Sequence, residues 1–297
     1  MATTKAASTK RATAKKPAAA KTTVRTVRTS ANTERTASVS AARVKANALP
    51  NNIVNIVFAE LVGTFVLTLV ALLAFKETSA LYVGLTLSLL VVAIGAVSGS
   101  HVNPAVTFGL WTMRKLKTVL VPFYWGAQFL GAMLAVIVTN WLANGAVKLN
   151  FDHFTQLNWS LLGVELVGTA IFMFGLAAAV SRVDLSAGAK ALGVGFSLMV
   201  GLLVGGSLLA SIQGAVDTSK ITSVTDVPHV LRVKGAALNP AVAVAATEAT
   251  DSSFTGTRGD GKEKQFSRLG WEVVLGSLVG AALGGNLYLL VAGRRNS

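Results

Sequence analysis

After Asn52 the chain alternates between long apolar runs and short polar connections. Each run approaches the roughly 20 residues that, at 1.5 Å per residue, form a helix spanning the hydrocarbon core of a bilayer. Backbone groups in lipid must be satisfied within the segment, and the runs do not show the polar/apolar alternation of a transmembrane barrel. The pattern therefore predicts an all-α membrane protein with six transmembrane helices, near residues 53–75, 81–98, 119–143, 160–180, 189–210 and 269–292.

Residues 1–50 differ in composition from the rest and are predicted to form a disordered tail. They contain eleven Lys and Arg residues, a single acid, Glu34, and no aromatic residue. Such a segment cannot bury enough apolar surface to fold. We favour a plain cytoplasmic arm and expect no nucleic-acid partner. Nucleic-acid binding, an organelle transit peptide and contact with anionic lipid stay open as alternatives.

The composition supports a membrane protein and excludes several chemistries. Hydrophobic residues make up 52% of the chain and charged residues 13%, with a mean hydropathy of +0.59. A soluble domain carries about 25% charged residues. The absence of Cys excludes disulfides, thiolate metal sites and Cys nucleophiles, and the three His residues are scattered. We therefore expect no enzyme activity, no metal and no cofactor.

The apolar part of the chain contains an internal repeat. Phe-Ala-Glu-Leu-Val-Gly-Thr at 58–64 returns as Gly-Val-Glu-Leu-Val-Gly-Thr at 163–169, and Asn-Pro-Ala-Val occurs at both 103–106 and 239–242. Each half has three predicted crossings, an odd number, so the halves must lie inverted in the bilayer. Inverted repeats place a shared pathway at the bilayer midplane. We assign the repeats to residues 53–143 and 160–293.

Each Asn-Pro-Ala motif is typical of the start of a helix, because Asn is a favoured N-cap and Pro is favoured at the first helical position. The apolar segments that follow, 105–113 and 241–249, are too short to cross a bilayer. We therefore predict two re-entrant half-helices that meet end to end inside the membrane. The motif residues are Asn103, Pro104 and Ala105 in the first repeat, and Asn239, Pro240 and Ala241 in the second.

The two Asn-Pro-Ala motifs, the repeated Glu-Leu-Val-Gly-Thr and the Ser-Gly-Ser-His-Val before the first motif resemble the aquaporin and glycerol-facilitator family over residues 53–293. The resemblance implies a channel domain at 51–297, with six tilted helices around two half-helices and both termini cytoplasmic. It also implies a homotetramer with a pore in each subunit. The side-chain amides of Asn103 and Asn239 would donate hydrogen bonds to a passing oxygen.

Two carboxylates, Glu60 and Glu165, lie inside apolar runs, where an ionisable group is costly and is usually functional or internally paired. The resemblance has each of them accept hydrogen bonds near an Asn-Pro-Ala loop, as buried support in preference to a proton relay. Glu272, near the start of the last helix, matches no family role. We expect its side chain to extend to the membrane interface.

The chain departs from the family at the outer filter, which the resemblance implies is the narrowest point. Val242 stands where the family nearly always has Arg. An apolar ring lacks a guanidinium, and it either admits larger neutral solutes or dewets and blocks flow. Arg232 or Lys234 could also fold back into this position. Alignment on the motifs assigns the filter to Val83, Leu202, Ala236 and Val242.

These features predict a passive channel in a lipid bilayer for water and small neutral solutes such as glycerol, with proton exclusion that is weakened but persists. The missing arginine motivates one alternative, a member of the same fold that conducts ions or is closed. The other alternative is a structural or adhesive membrane protein that keeps the fold without useful flux.

Overall fold

The computed structural model describes residues 49–74, 79–142, 149–155, 157–256 and 265–293. The predicted tail lies outside the described residues, apart from Leu49 and Pro50.

Helices form most of the described chain, and only two short strands accompany them there. The strands are β1 (Leu149–Asn150) and β2 (Gln265–Phe266), which pair in parallel with Leu149 opposite Gln265. The α-helices in chain order are α1 (Ile53–Leu73), α2 (Ser79–Ser98), α3 (Pro104–Thr112), α4 (Val121–Leu142), α5 (Trp159–Ser181), α6 (Ala187–Gly214), α7 (His229–Arg232), α8 (Pro240–Ala245), α9 (Ser252–Thr255) and α10 (Trp271–Ala292). Single 3₁₀ turns occupy Thr118–Leu120, Asp152–Thr155, Thr218–Lys220 and Val224–Asp226.

Within the described chain, six helices are long and apolar enough to cross a membrane, namely α1, α2, α4, α5, α6 and α10. Their outer faces carry large apolar side chains such as Phe58, Leu89 and Ile137, which are 66%, 64% and 59% exposed. Contiguous apolar surface of this kind is not stable in water and is covered by lipid in a membrane. The prediction of six transmembrane helices is confirmed, and the chain is a multi-pass integral membrane protein.

Side-chain caps set the start of two of the long helices. Asn158 precedes α5 and accepts a hydrogen bond from the backbone N–H of Leu161 at 3.1 Å, and Ser186 precedes α6 and accepts one from Ala189 at 3.3 Å. Each cap satisfies one of the N–H groups that lack a partner in the first helical turn.

Glycines let the long helices approach until their backbones touch. A Cβ on Gly276 of α10 would lie 2.8 Å from the carbonyl oxygen of Leu162 in α5. A Cβ on Gly84 of α2 would lie 2.8 Å from the carbonyl oxygen of Gly195 in α6. A larger residue at either point would push the helices apart. Small residues at crossings suit membrane helices, which associate by close packing because lipid is as apolar as their side chains.

The two short helices, α3 and α8, interlock the halves of the chain. Helix α3 belongs to the first repeat but packs against α10 of the second as well as against α4. Helix α8 belongs to the second repeat and packs against α1 and α4 of the first. The two also contact each other. The predicted pair of half-helices is therefore present, and their starts meet between the repeats.

The second half-helix is shorter than the sequence predicted. The first was predicted at 105–113 and is observed as Pro104–Thr112, but the second was predicted at 241–249 and ends at Ala245. The reason is Ser267, whose single hydroxyl hydrogen is shared between the carbonyl oxygens of Ala243 and Val244, which lie 3.1 and 2.9 Å from Oγ. The chain beyond α8 instead pairs with the segment after β2, through a bridge between Thr247 and Ser267.

Candidate functional site

The Asn-Pro-Ala motifs form matched caps at the starts of α3 and α8. The side-chain oxygen of Asn103 accepts a hydrogen bond from the backbone N–H of Ala105 at 2.8 Å, and that of Asn239 accepts one from Ala241 at 3.0 Å. Proline occupies the first helical turn in both cases, where its missing N–H leaves no bond unmade. Both asparagines are buried. Each Oδ1 is thereby fixed, which turns each amide nitrogen away from its own helix.

The two asparagines also connect the repeats directly. Asn103 Nδ2 donates to the carbonyl oxygen of Leu238 at 2.9 Å, and Asn239 Nδ2 donates to the carbonyl oxygen of Val102 at 3.0 Å. Each motif thus binds the residue that precedes the other motif. An amide nitrogen carries two hydrogens, and these bonds use one on each asparagine. The other hydrogen of each amide can serve an oxygen at the junction of the half-helices.

An unusual backbone conformation and a glycine support this junction in each repeat. Val102 and Leu238 both adopt the left-handed region, with φ of 44° and 51°. That region is disfavoured for such side chains and costs of order 1–3 kcal/mol. The side chains pack onto the glycines of the repeated Glu-Leu-Val-Gly-Thr. A Cβ on Gly63 would lie 2.6 Å from Val102 Cγ1, and one on Gly168 would lie 2.7 Å from Leu238 Cδ2.

Glu60 holds the loop before the first motif. It is fully buried, and its carboxylate accepts hydrogen bonds from the backbone N–H groups of His101 and Val102 at 2.9 and 2.7 Å. It also accepts from the Ser98 hydroxyl at 2.7 Å and from Gln128 Nε2 at 2.8 Å. These bonds fix the orientation of the loop, because four donors on two sides of one carboxylate leave it little freedom.

Glu165 holds the loop before the second motif in the same way. Its carboxylate accepts from the backbone N–H groups of Ala237 and Leu238 at 3.0 and 2.8 Å. It also accepts from Arg268 Nη2 at 3.1 Å, and Arg268 Nη1 in turn donates to Glu272 Oε1 at 3.0 Å. The expectation that Glu272 reaches the membrane interface was wrong, since its side chain is 1% exposed and is paired with Arg268.

Each glutamate also accepts a hydrogen bond from a side chain outside the loop that it holds, and this side chain differs between the repeats. A neutral amide, that of Gln128, donates to Glu60, whereas a guanidinium, that of Arg268, donates to Glu165. The difference follows from Glu272, because a second buried carboxylate beside Glu165 needs a cation between them. Sequence reasoning missed Arg268. The only local signal was a pair of opposite charges, Arg268 and Glu272, four residues apart at the start of the last apolar run, and Arg268 lies in the loop before α10.

One cavity of about 360 Å³ lies beside the second motif. We refer to it as the Val242 cavity. Among the described residues, the cations at its wall are Lys234 and Arg268, and Asn239 lines it as well. It also brings together all four residues that the alignment assigned to the outer filter, Val83, Leu202, Ala236 and Val242.

The two basic residues near this cavity that the sequence suggested as replacements occupy different places. Arg232 is held away from it by Asp251 Oδ1 at 2.8 Å and the carbonyl oxygen of Val224 at 2.9 Å. Lys234 lines the cavity but is exposed. Partial desolvation lowers the pKa of the Lys234 ammonium below its usual value, and the nearby Glu248 carboxylate opposes this shift.

Comparisons with known proteins relate the chain to one family. The Major intrinsic protein family model matches residues 57–222, which ends before the second Asn-Pro-Ala motif. Aquaporin NIP2-3 of Zea mays is 29% identical over 208 residues, covering 70% of this chain and 56% of that protein. Aquaporin-5 of Mus musculus is 33% identical over 163 residues, covering 50% and 62%. The chain thus spans little more than half the length of the maize relative.

Among solved structures, the X-ray structure of the aquaglyceroporin from Plasmodium falciparum matches with a TM-score of 0.51 and 19% identity. The match covers 80% of this chain and 97% of the other. At this identity the likeness establishes the fold and nothing finer.

Proposed function

Since the chain belongs to the major intrinsic protein family, we propose that it is a passive transmembrane channel for water and small neutral solutes such as glycerol. The observation that carries the proposal is the pair of cross-connected asparagines, Asn103 and Asn239, at the junction of two half-helices. Asn239 lines the Val242 cavity together with apolar side chains such as Val83 and Leu198, and such a mixture is usual for sites that admit small polar molecules.

The asparagines supply fixed donors along the path. Because each Oδ1 and one hydrogen of each Nδ2 are engaged by backbone groups, the amides cannot rotate to meet a solute. Their second hydrogens are preorganised for an oxygen that passes between them. A water or a hydroxyl therefore exchanges hydrogen bonds with solvent for hydrogen bonds with the channel, which keeps the barrier to entry low.

The starts of α3 and α8 oppose the passage of cations. Each helix end carries about half a positive charge. At 4–5 Å and an effective dielectric near 20, two such ends oppose a cation by roughly 4 kcal/mol, and the distant negative ends of these short helices reduce this to about 3 kcal/mol. Helix α8, with 6 residues, contributes less than α3, with 9. Protons and cations are therefore disfavoured, but less strongly than two full-length half-helices would achieve.

The apolar filter residues favour solutes larger than water. Val83, Leu202, Ala236 and Val242 surround a cavity of about 360 Å³. One water occupies roughly 30 Å³ in the liquid, so the cavity has room for a three-carbon polyol. We infer that glycerol and urea pass at rates comparable with water.

We further infer a topology with both termini cytoplasmic and with residues 144–158 and 212–234 outside. A homotetramer with one path in each subunit is the assembly we expect. The even number of spans in the described part of the chain supports the placement of the termini on one side, and the basic tail supports the cytoplasmic side, where Lys and Arg are in excess.

Stopped-flow swelling of proteoliposomes in water, glycerol and urea gradients tests this function. The intact protein should give flux above that of empty liposomes for all three. Asn103→Ala and Asn239→Ala should each lower the flux of water and glycerol, because each removes a helix cap worth ~1 kcal/mol and a contact between the repeats. A folded protein without flux of any solute would contradict the proposal and favour a closed or structural role.

A further inference from the structure

We propose that Arg268 is the specificity-determining hydrogen-bond donor of the Val242 cavity, and that it selects neutral solutes with an oxygen acceptor, such as polyols and amides. This inference rests on the proposed channel function. It assigns to a residue from a distant segment the donor that position 242 lacks.

The backbone carries Arg268 to the cavity wall. The N–H of Arg268 donates to the carbonyl oxygen of Ala246 at 2.8 Å, directly after α8. Ser267, one residue earlier, binds the carbonyl oxygens at the end of the same helix. Arg268 thereby becomes a neighbour of the helix that begins with the second motif, and it lines the cavity with Val242, Ala246 and Thr247.

Two carboxylates fix the guanidinium. Nη2 donates to Glu165 at 3.1 Å and Nη1 donates to Glu272 at 3.0 Å, and the residue is 4% exposed. Guanidinium donors lie in one rigid plane, so these two bonds also set the direction of Nε. Among the described residues, Arg268 Nε has no hydrogen-bond partner. A guanidinium carries five N–H donors, and the two carboxylates take one from each terminal nitrogen. Because Arg268 lines the cavity, we infer that one of its remaining donors serves an oxygen there.

The charge balance determines which solutes benefit. Arg268 lies between Glu165 and Glu272, and the three groups together carry a formal charge of −1. The site can therefore donate a hydrogen bond without presenting net positive charge. Anions gain no electrostatic attraction, whereas a hydroxyl or carbonyl oxygen gains a preorganised donor.

Lys234, the other cation at the cavity, is a weaker candidate. Its side chain is exposed, and an ammonium on a flexible stem in water loses much of its freedom when it binds a solute. Arg268 is already immobilised, so binding costs less conformational entropy.

The test compares glycerol and water permeability in the same proteoliposomes for two variants. Arg268→Lys keeps a cation between the carboxylates but removes the planar Nε donor. The double variant Arg268→Gln/Glu272→Leu gives Glu165 the neutral amide partner that Gln128 gives Glu60, with the charge of the cluster unchanged. Glycerol gives up more hydrogen bonds to solvent than water does when it enters an apolar cavity, so a donor in the wall matters more to glycerol. A net hydrogen bond corresponds to roughly three- to tenfold in an equilibrium, and we expect the glycerol-to-water ratio to fall by about that factor in both variants.

A control variant, a variant of the rival donor and the intact protein make the outcomes distinct. Arg232→Gln, outside the cavity, is the control and should leave the ratio as in the intact protein, whereas Lys234→Gln tests the rival donor. If both Arg268 variants lower water and glycerol flux in proportion, Arg268 is only structural and the inference is wrong. It is also wrong if Lys234→Gln alone shifts the ratio. Absence of flux in the intact protein would instead overturn the proposed channel function.

Discussion

Gly63→Ala should impair flux while leaving the protein folded. A Cβ at this position would lie 2.6 Å from Val102 Cγ1 and 2.7 Å from Ile94 Cδ1. Overpacking of this kind lowers the free energy of unfolding by about 1–3 kcal/mol. Alanine in place of glycine inside a helix raises it by ~1 kcal/mol. The unfolding free energy should therefore fall by only about 0–2 kcal/mol, which is too little to unfold the chain.

The effect on flux should be larger, because Val102 cannot move without disturbing the site. Its N–H is bound by Glu60 at 2.7 Å and its carbonyl oxygen by Asn239 at 3.0 Å. Displacement of Val102 breaks the contact with Asn239, worth about 0.5–1.5 kcal/mol, and lets the amide tilt. We expect water and glycerol flux per reconstituted protein to fall roughly three- to tenfold.

Gly163→Ala provides the matched control, because a Cβ at Gly163 in α5 would meet nothing within 4 Å. It shares the gain in helix propensity without the overpacking. Stopped-flow permeability in proteoliposomes and thermal unfolding in detergent measure the two effects separately. If Gly63→Ala and Gly163→Ala gave the same flux and the same unfolding temperature, the packing of Val102 on Gly63 would not be what holds the loop.

Three further predictions concern the filter, the tail and the topology. Val242→Arg should narrow the Val242 cavity and add a charge, so glycerol flux should fall more than water flux; water-only flux that the substitution leaves unchanged would contradict a wide apolar filter. Deletion of residues 2–45 should leave the protein folded and conducting, because this segment has little apolar surface to bury; loss of folding in detergent would show that it packs on the helices. A Cys introduced at Ser219 should react with an impermeant maleimide from outside, and labelling only after permeabilisation would reverse the proposed topology.

The sequence was most informative where the signal is local. A proline after an asparagine fixes the start of a helix by its own chemistry, so α3 and α8 begin where the motifs indicated. Long apolar runs likewise predict spans without reference to the rest of the chain. The repeated Glu-Leu-Val-Gly-Thr was recognisable, but the reason for its glycine, the side chain of Val102 or Leu238, was visible only in the structure.

Features that depend on distant segments could not be predicted. Arg268 and Glu165 are 103 residues apart in the chain, and no local pattern links them. The end of α8 is set by Ser267, which lies more than 20 residues beyond it. Glu272 was assigned to the interface because only its position in the helix was known, and its partner comes from the loop before that helix.

We propose above all that neutral solutes, and not ions, cross between Asn103 and Asn239. The most direct test is to measure glycerol-driven reswelling and proton leak in the same proteoliposomes containing the intact protein. We expect rapid reswelling with a proton leak that is small beside the glycerol flux, since the positive ends of α3 and α8 oppose cations by about 3 kcal/mol. A large proton or cation leak without glycerol flux would contradict it.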